Sequence, residues 1–191
     1  MTGVTIDELG ADVASVIGQL GHGPAVILGR AYGNFVARTV STSHPEKARA
    51  VILAAASARA VPPEISNAPF RAGDPALPEE ERLAALRMAF FAPGHDASIW
   101  LSGWYPQTLA MQRAAVTGTD IGRYWRAGTA PIFEIIAESD PFHPKDQWED
   151  LHTQLGPRVT SAVIKDAGHA LFPEQSDAVA DTVITYLGTL T

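Results

Sequence analysis

The sequence predicts an α/β fold, a parallel sheet flanked by helices with a helical segment inserted, and three observations lead there. The short apolar runs Ala25–Leu28, Ala50–Ala55 and Pro131–Ala137 have the length and continuity of strands buried on both faces. Helical patterns lie before, between and after these runs, which is the rhythm of crossover units in a parallel sheet. Between residues 57 and 128 that rhythm stops, and proline, glycine and tryptophan become frequent.

The first element is a helix with marked ends. Thr5 and Glu8 form a capping-box pattern, and Ile6, Leu9, Val13, Ile17 and Leu20 recur on one face. Gly21 supplies the stop, and His22–Pro24 the turn into the first strand. A second helix is expected from Gly33 to about Ser43, ended by His44-Pro45 and followed by the strand Ala50–Ala55. These elements make residues 1–56 the first part of the core.

Residues 57–128 read as a helical cap inserted into that core. The best helical piece runs from Pro78 to Phe91, and Trp100, Trp104 and Trp125 make the segment too aromatic for a disordered linker. The core resumes over 129–191 with the strand Pro131–Ala137 and a helix from Lys145 to Leu155. Val159–Ile164 alternates apolar and polar residues, which suits a sheet edge. A closing helix from Pro173 to Leu187 is expected to turn Val179, Val183, Ile184 and Leu187 inward.

Composition narrows the function classes. A chain of 191 residues fits one domain, and 46% hydrophobic with 18% charged residues excludes disorder. The net charge of −7, with no Lys/Arg cluster, argues against nucleic acid as a partner. The absence of cysteine removes disulfides, thiol nucleophiles and thiolate-bound zinc. No basic-then-apolar leader pattern opens the chain, and no apolar run approaches the ~20 residues that span a bilayer. A soluble, cytoplasmic protein without membrane contact or cofactor is the expectation.

The chemistry is concentrated in three loops. Ile27-Leu28-Gly29-Arg30-Ala31-Tyr32-Gly33-Asn34 runs from a buried strand straight into a helix, with glycines four apart. That is the G-x-S-x-G elbow with Ala31 in the serine position, Gly29 and Gly33 being small because the turn is tight. A plain strand-to-helix turn would carry the same glycines. Asp140, in Ala137-Glu138-Ser139-Asp140-Pro141, falls just past a strand's C-terminal end, where open α/β sheets gather binding groups. Asp140 could equally be an ordinary turn residue before Pro141. His169, in Asp166-Ala167-Gly168-His169, occupies another strand-end loop, so the order is elbow, acid, histidine; a structural loop histidine is the alternative, though Gly168 leaves room for a ring at a pocket.

With these residues in place, the sequence resembles the α/β-hydrolase fold family, in the bacterial group of esterases, epoxide hydrolases and C–C bond hydrolases. The resemblance takes in the helix before the elbow, GRAYGN, HPEKARAVILAAA, the cap, AESDP and AGHALFPEQ. It implies Asp140 as the triad acid, His169 as the general base, and the Tyr32 N–H as an oxyanion donor. GRAYGN is similar to a subgroup whose elbow reads roughly G-H-A-F-G-N, which makes Ala31 a natural residue. Alanine carries no nucleophilic atom, so the acyl-enzyme route is closed at this position.

The family also places earlier strands and a His-Gly oxyanion loop before this point. On that comparison the chain is the C-terminal part of the fold, and Met1 reads as an internal or misassigned start ahead of a natural minimal fold. Strand 25–28 then has a bare apolar edge, through which copies could associate.

Other polar residues carry weaker readings. Asp140, His143 and Asp146 lack metal-ligand spacing, and no metal is expected. His22, His44, His95 and His152 fall in turns or on polar faces and are expected to be solvated. Ser57 and Ser139 lie near strand ends but in no elbow. Trp100, Trp104, Tyr105 and Trp125 either line an apolar substrate pocket or form the cap's own core.

Three functions compete on this evidence. The first is a hydrolase-like protein acting on a small apolar ester-like substrate through a His169–Asp140 dyad. The second is a non-catalytic protein that binds a small apolar molecule, as the hydrolase-like plant hormone receptors do. The third is an inactive, truncated hydrolase.

Overall fold

A computed structural model describes residues 3–190, so the start position Met1 lies outside the described residues. Helix α1 (Ile6–Leu20) leads into strand β1 (Ala25–Arg30), helix α2 (Gly33–Ser43) and strand β2 (Ala48–Ala54). Three helices follow: α3 (Pro63–Gly73), α4 (Glu79–Ala89) and α5 (Pro106–Thr117). Then come β3 (Ile132–Ala137), α6 (Asp150–Leu155), β4 (Val159–Ile164), α7 (Leu171–Glu174) and α8 (Ser176–Thr189). The strands form one sheet in the order β1-β2-β3-β4, the parallel α/β arrangement that the alternating pattern predicted.

Local chemistry accounts for the element ends. The capping box at α1 is formed in both directions, Glu8 N–H to Thr5 Oγ1 at 3.1 Å and Thr5 N–H to Glu8 Oε2 at 2.7 Å. Gly21 ends that helix at φ 70°, the left-handed conformation that glycine adopts without a steric penalty. Its buried stripe includes Gly10, where an added Cβ would stand 2.9 Å from Thr39 Cγ2 on α2. Leu20, expected on the inner face, is exposed in the last turn.

Strand β1 runs parallel to β2 in a register from Ala25 opposite Ala48 to Arg30 opposite Ala54. Strand β2 is buried over Ala50–Ala54, whereas Leu28 on β1 is 40% exposed. Among the described residues β1 has a neighbour on one side only, and that leaves Leu28 uncovered. Strand β4 is the other edge, with its middle residues exposed.

The residues divide into two compact units. The first comprises Met1–Ala56, Ala110–Glu134 and Asp150–Thr160, and the second Ser57–Leu109, Ile135–Glu149 and Ser161–Thr191. The segment 57–128 is therefore distributed over both units. The core of the first gathers Ala37, Val51, Leu53, Trp125, Ile132 and Val159. The core of the second is built on Leu86, Phe90, Phe91, Phe142 and Ala170, with Trp100 and Trp104 packed against it.

Two helices depart from the sequence expectation. The stretch from Lys145 to Leu155 is a short 3-10 turn at Lys145–Gln147 and then α6, not one helix. The Gln147 carbonyl faces His143 Nε2 at 3.2 Å, and Trp148 Nε1 donates to the His143 carbonyl at 3.0 Å, so side chains take over carbonyls there. The closing helix is likewise split at Gln175, and its buried residues are Val179 and Tyr186. Ile184 and Leu187, expected inside, are exposed. No described helix is long and apolar enough to cross a membrane.

Candidate active site

The elbow belongs to the first unit. Strand β1 continues two residues beyond Leu28, and Ala31 turns the chain at φ 49°, a conformation unusual for a residue with a Cβ. Its N–H donates to the Ala54 carbonyl at 3.1 Å, which anchors the turn to the end of β2. Its own carbonyl accepts the Asn34 N–H at 3.0 Å and a further bond from Asn34 Nδ2. A Cβ on Gly29 would lie 2.2 Å from the Gly33 carbonyl oxygen, so only glycine fits there. Gly33 faces open space. Tyr32 occupies the N-cap of α2, where backbone N–H groups have no intrahelical acceptor.

A buried cation lies under this turn. Arg38, one helical turn beyond Asn34, donates from Nε to Asn34 Oδ1 at 3.1 Å and from Nη1 to the Trp125 carbonyl. Its guanidinium stacks 4.2 Å above the Trp125 ring. Burial pulls the guanidinium down to about 10, and the buried carboxylate of Glu134 opposes that shift. The Tyr32 hydroxyl is shut off from solvent with no hydrogen-bond partner among the described residues, and burial pushes it up to about 12. The Tyr124 hydroxyl is equally unpartnered.

The second unit holds the acid and the histidine. Both side chains are buried, and Asp140 Oδ2 stands 2.8 Å from His169 Nδ1. Asp140 Oδ1 accepts the Phe142 N–H at 2.9 Å, which fixes the carboxylate plane. Because a carboxylate only accepts, the short contact places a proton on Nδ1 and makes Nε2 the basic nitrogen of the neutral ring. The Phe142 ring lies 4.2 Å from the imidazole, tilted by 33°, and Phe90 meets it edge-on at 5.6 Å. This apolar clamp excludes water from the pair and strengthens its electrostatics.

Beside the acid loop opens a pocket of about 400 Å³. Met88, Phe91 and Pro141 give it apolar walls, and Arg87, His95 and Ser139 polar ones. None of the four aromatic residues read either as pocket lining or as the cap's own core is among its walls. Trp125 is in the core of the first unit, its Nε1 bonded to Gln154 at 2.9 Å. Tyr105 is 72% exposed, and Trp100 and Trp104 serve as packing around Phe90. His95, expected to be solvated, instead pairs with Asp166 at 3.3 Å. His143 is buried and Asp146 exposed, and no described group of residues could hold a metal ion. Ser57 is half-buried, and the exposed Ser139 donates its N–H to the Ala167 carbonyl at 2.8 Å.

Sequence reasoning missed Phe142, Phe90 and Arg38. Phe142 follows the acid by two positions and Arg38 follows Asn34 by four, and those spacings were the only signals available.

A parallel sheet with a strained strand-to-helix elbow and a strand-end acid–histidine pair defines an α/β protein of hydrolase type. The alpha/beta hydrolase family model matches residues 3–182, and the chain belongs to that family. No curated protein sequence matches it. Among solved structures it is similar to a thermophilic esterase from Thermogutta terrifontis, with a TM-score of 0.76 at 20% identity. That likeness covers 98% of this chain and 73% of the esterase. A hydrolase from Pseudomonas aeruginosa PA01 gives a TM-score of 0.72 at 22% identity, covering 96% of this chain and 72% of the other. At such identities the likeness is one of fold.

Proposed function

We propose that this protein is a hydrolase in which His169, oriented by Asp140, acts as general base on water, with a small apolar ester-like molecule as substrate. The single observation that carries the reading is the 2.8 Å bond between His169 Nδ1 and Asp140 Oδ2, buried against Phe142. With Nδ1 committed to the carboxylate, Nε2 takes a proton from water as the water oxygen bonds to the ester carbonyl carbon. The resulting imidazolium is stabilised by Asp140, which stays ionised. The tetrahedral intermediate then expels the alkoxide, and His169 returns the proton to it. Acid and alcohol are the products, and no covalent enzyme intermediate forms, because the Ala31 methyl offers no nucleophile.

The test is hydrolysis of short p-nitrophenyl esters by this chain, by His169→Ala and by Ala31→Ser. The reading expects slow turnover that disappears in His169→Ala, and a burst of nitrophenol from Ala31→Ser as an acyl-enzyme accumulates. Equal rates for the parent chain and His169→Ala would rule it out.

Ala31 itself favours a second reading, a protein that retains a small apolar ligand without turning it over. Binding that survives both His169→Ala and Asp140→Asn, with no product formed, decides for this alternative.

A further inference from the structure

His169 is tied down on both sides of its own Cα. Ala170 N–H donates to the Phe90 carbonyl at 2.7 Å, just beyond the end of α4. On the other side, Gly168 N–H donates to Glu174 Oε2 at 2.7 Å, and the second oxygen of the same carboxylate accepts Ala92 N–H at 2.6 Å. The histidine loop is thus joined to residues 90–92 directly through one bond and indirectly through one carboxylate. Bonds from N–H to an ionised acceptor are roughly twice as strong as neutral ones. The fit leaves no slack, since a Cβ on Gly168 would lie 2.6 Å from the Phe90 oxygen and 2.7 Å from the Ala92 nitrogen.

Proton transfer at Nε2 uses His169 and Asp140 and has no chemical need of Glu174. We infer that Glu174 is the positioning residue of His169. Its carboxylate fixes the peptide entering the histidine and so the direction in which the imidazole leaves the backbone toward Asp140. The inference deepens the reading of His169 as base and rests on it.

Substitution divides the roles of the two carboxylate oxygens. In Glu174→Gln one oxygen still accepts, while the amide nitrogen meets an N–H donor head-on, so one of the two loop bonds is lost at nearly unchanged volume. Glu174→Ala loses both.

The experiment is proton NMR of the chain labelled with ¹⁵N-histidine. The Nδ1–H of His169, identified by its disappearance in Asp140→Asn, is the probe. The expected result is an upfield shift and exchange broadening of this resonance in Glu174→Gln, with the far-ultraviolet circular dichroism unchanged, and a larger effect in Glu174→Ala. An unmoved, sharp resonance in Glu174→Gln overturns the inference even where the melting temperature falls, because a carboxylate that merely stabilises the loop leaves the ring's bond alone. The readout needs no substrate. A chain without ester turnover that still shows the shift defeats the catalytic reading and leaves the positioning role standing.

Discussion

Asp140 and His169 share a 2.8 Å hydrogen bond, and the other oxygen of Asp140 is committed to the Phe142 N–H at 2.9 Å. That second bond decides what Asp140→Asn would do. Phe142 N–H requires an acceptor, so the asparagine oxygen takes its place and the amide NH₂ is left facing His169 Nδ1. Nδ1 must then accept, the ring proton moves to Nε2, and the nitrogen meant to receive a proton already holds one. Ester turnover is expected to fall by about 10⁴-fold, the scale of the tautomer error in a serine protease. Retained turnover with unchanged circular dichroism would remove Asp140 from the mechanism.

The two elbow glycines should respond differently to the same change. Gly29→Ala puts a methyl 2.2 Å from the Gly33 oxygen and 2.8 Å from Asn34 Cα, both backbone atoms that no rotamer change can move. A loss of about 1–3 kcal/mol or more follows from such overpacking. Gly33→Ala meets nothing within 4 Å and should fold with nearly parental stability. Urea unfolding of the pair tests this, and equal midpoints would show the elbow to be less constrained than the geometry requires.

How much of this was legible in the sequence depended on the range of the interactions. The capping box at Thr5 and Glu8, the helix Gly33–Ser43 and the elbow glycines all act within a few residues, and pattern alone located them. Trp125 could not be placed that way. It pairs with Arg38, 87 residues earlier in the chain, a separation that no local pattern reports. The closing helix was expected to turn Val179, Val183, Ile184 and Leu187 inward. Tyr186 was not among them, yet its large apolar ring is buried together with Val179. The acid–histidine order was readable, but of the rings that clamp the imidazole Phe90 carried no signature beyond being aromatic, and Phe142 only its place two residues after the acid.

Arg38 is a buried charge whose removal should be costly. Arg38→Met keeps much of the volume but leaves the Asn34 Oδ1 and Trp125 carbonyl acceptors without the donor they have in the parent. Each buried acceptor left unsatisfied costs about 1–3 kcal/mol. Thermal melting should therefore show a large drop for Arg38→Met, with a smaller one for Arg38→Lys, which keeps charge without the planar fork. A Met variant as stable as the parent would mean that water serves these groups.

Alkaline stability isolates the buried phenol at the elbow. Burial raises Tyr32 from its ordinary 10.0 to about 12, so the folded chain holds the phenol proton where the unfolded chain releases it. Its contribution is complete below pH 10 and is lost as the pH rises toward 12. Arg38 acts in the opposite sense, since its lowered value lets the folded state shed a proton first and stability then rises with pH. A direct alkaline titration mixes the two, but comparison with Tyr32→Phe cancels Arg38. Near neutrality the phenylalanine variant should be the more stable by about 1 kcal/mol, because it removes a buried hydroxyl with no partner. That advantage should widen between pH 10 and 12, as the parent alone loses the phenol's contribution. Urea midpoints for both chains across the window give the difference directly. A difference that stays flat would mean that the Tyr32 hydroxyl titrates freely and is not enclosed beside the elbow.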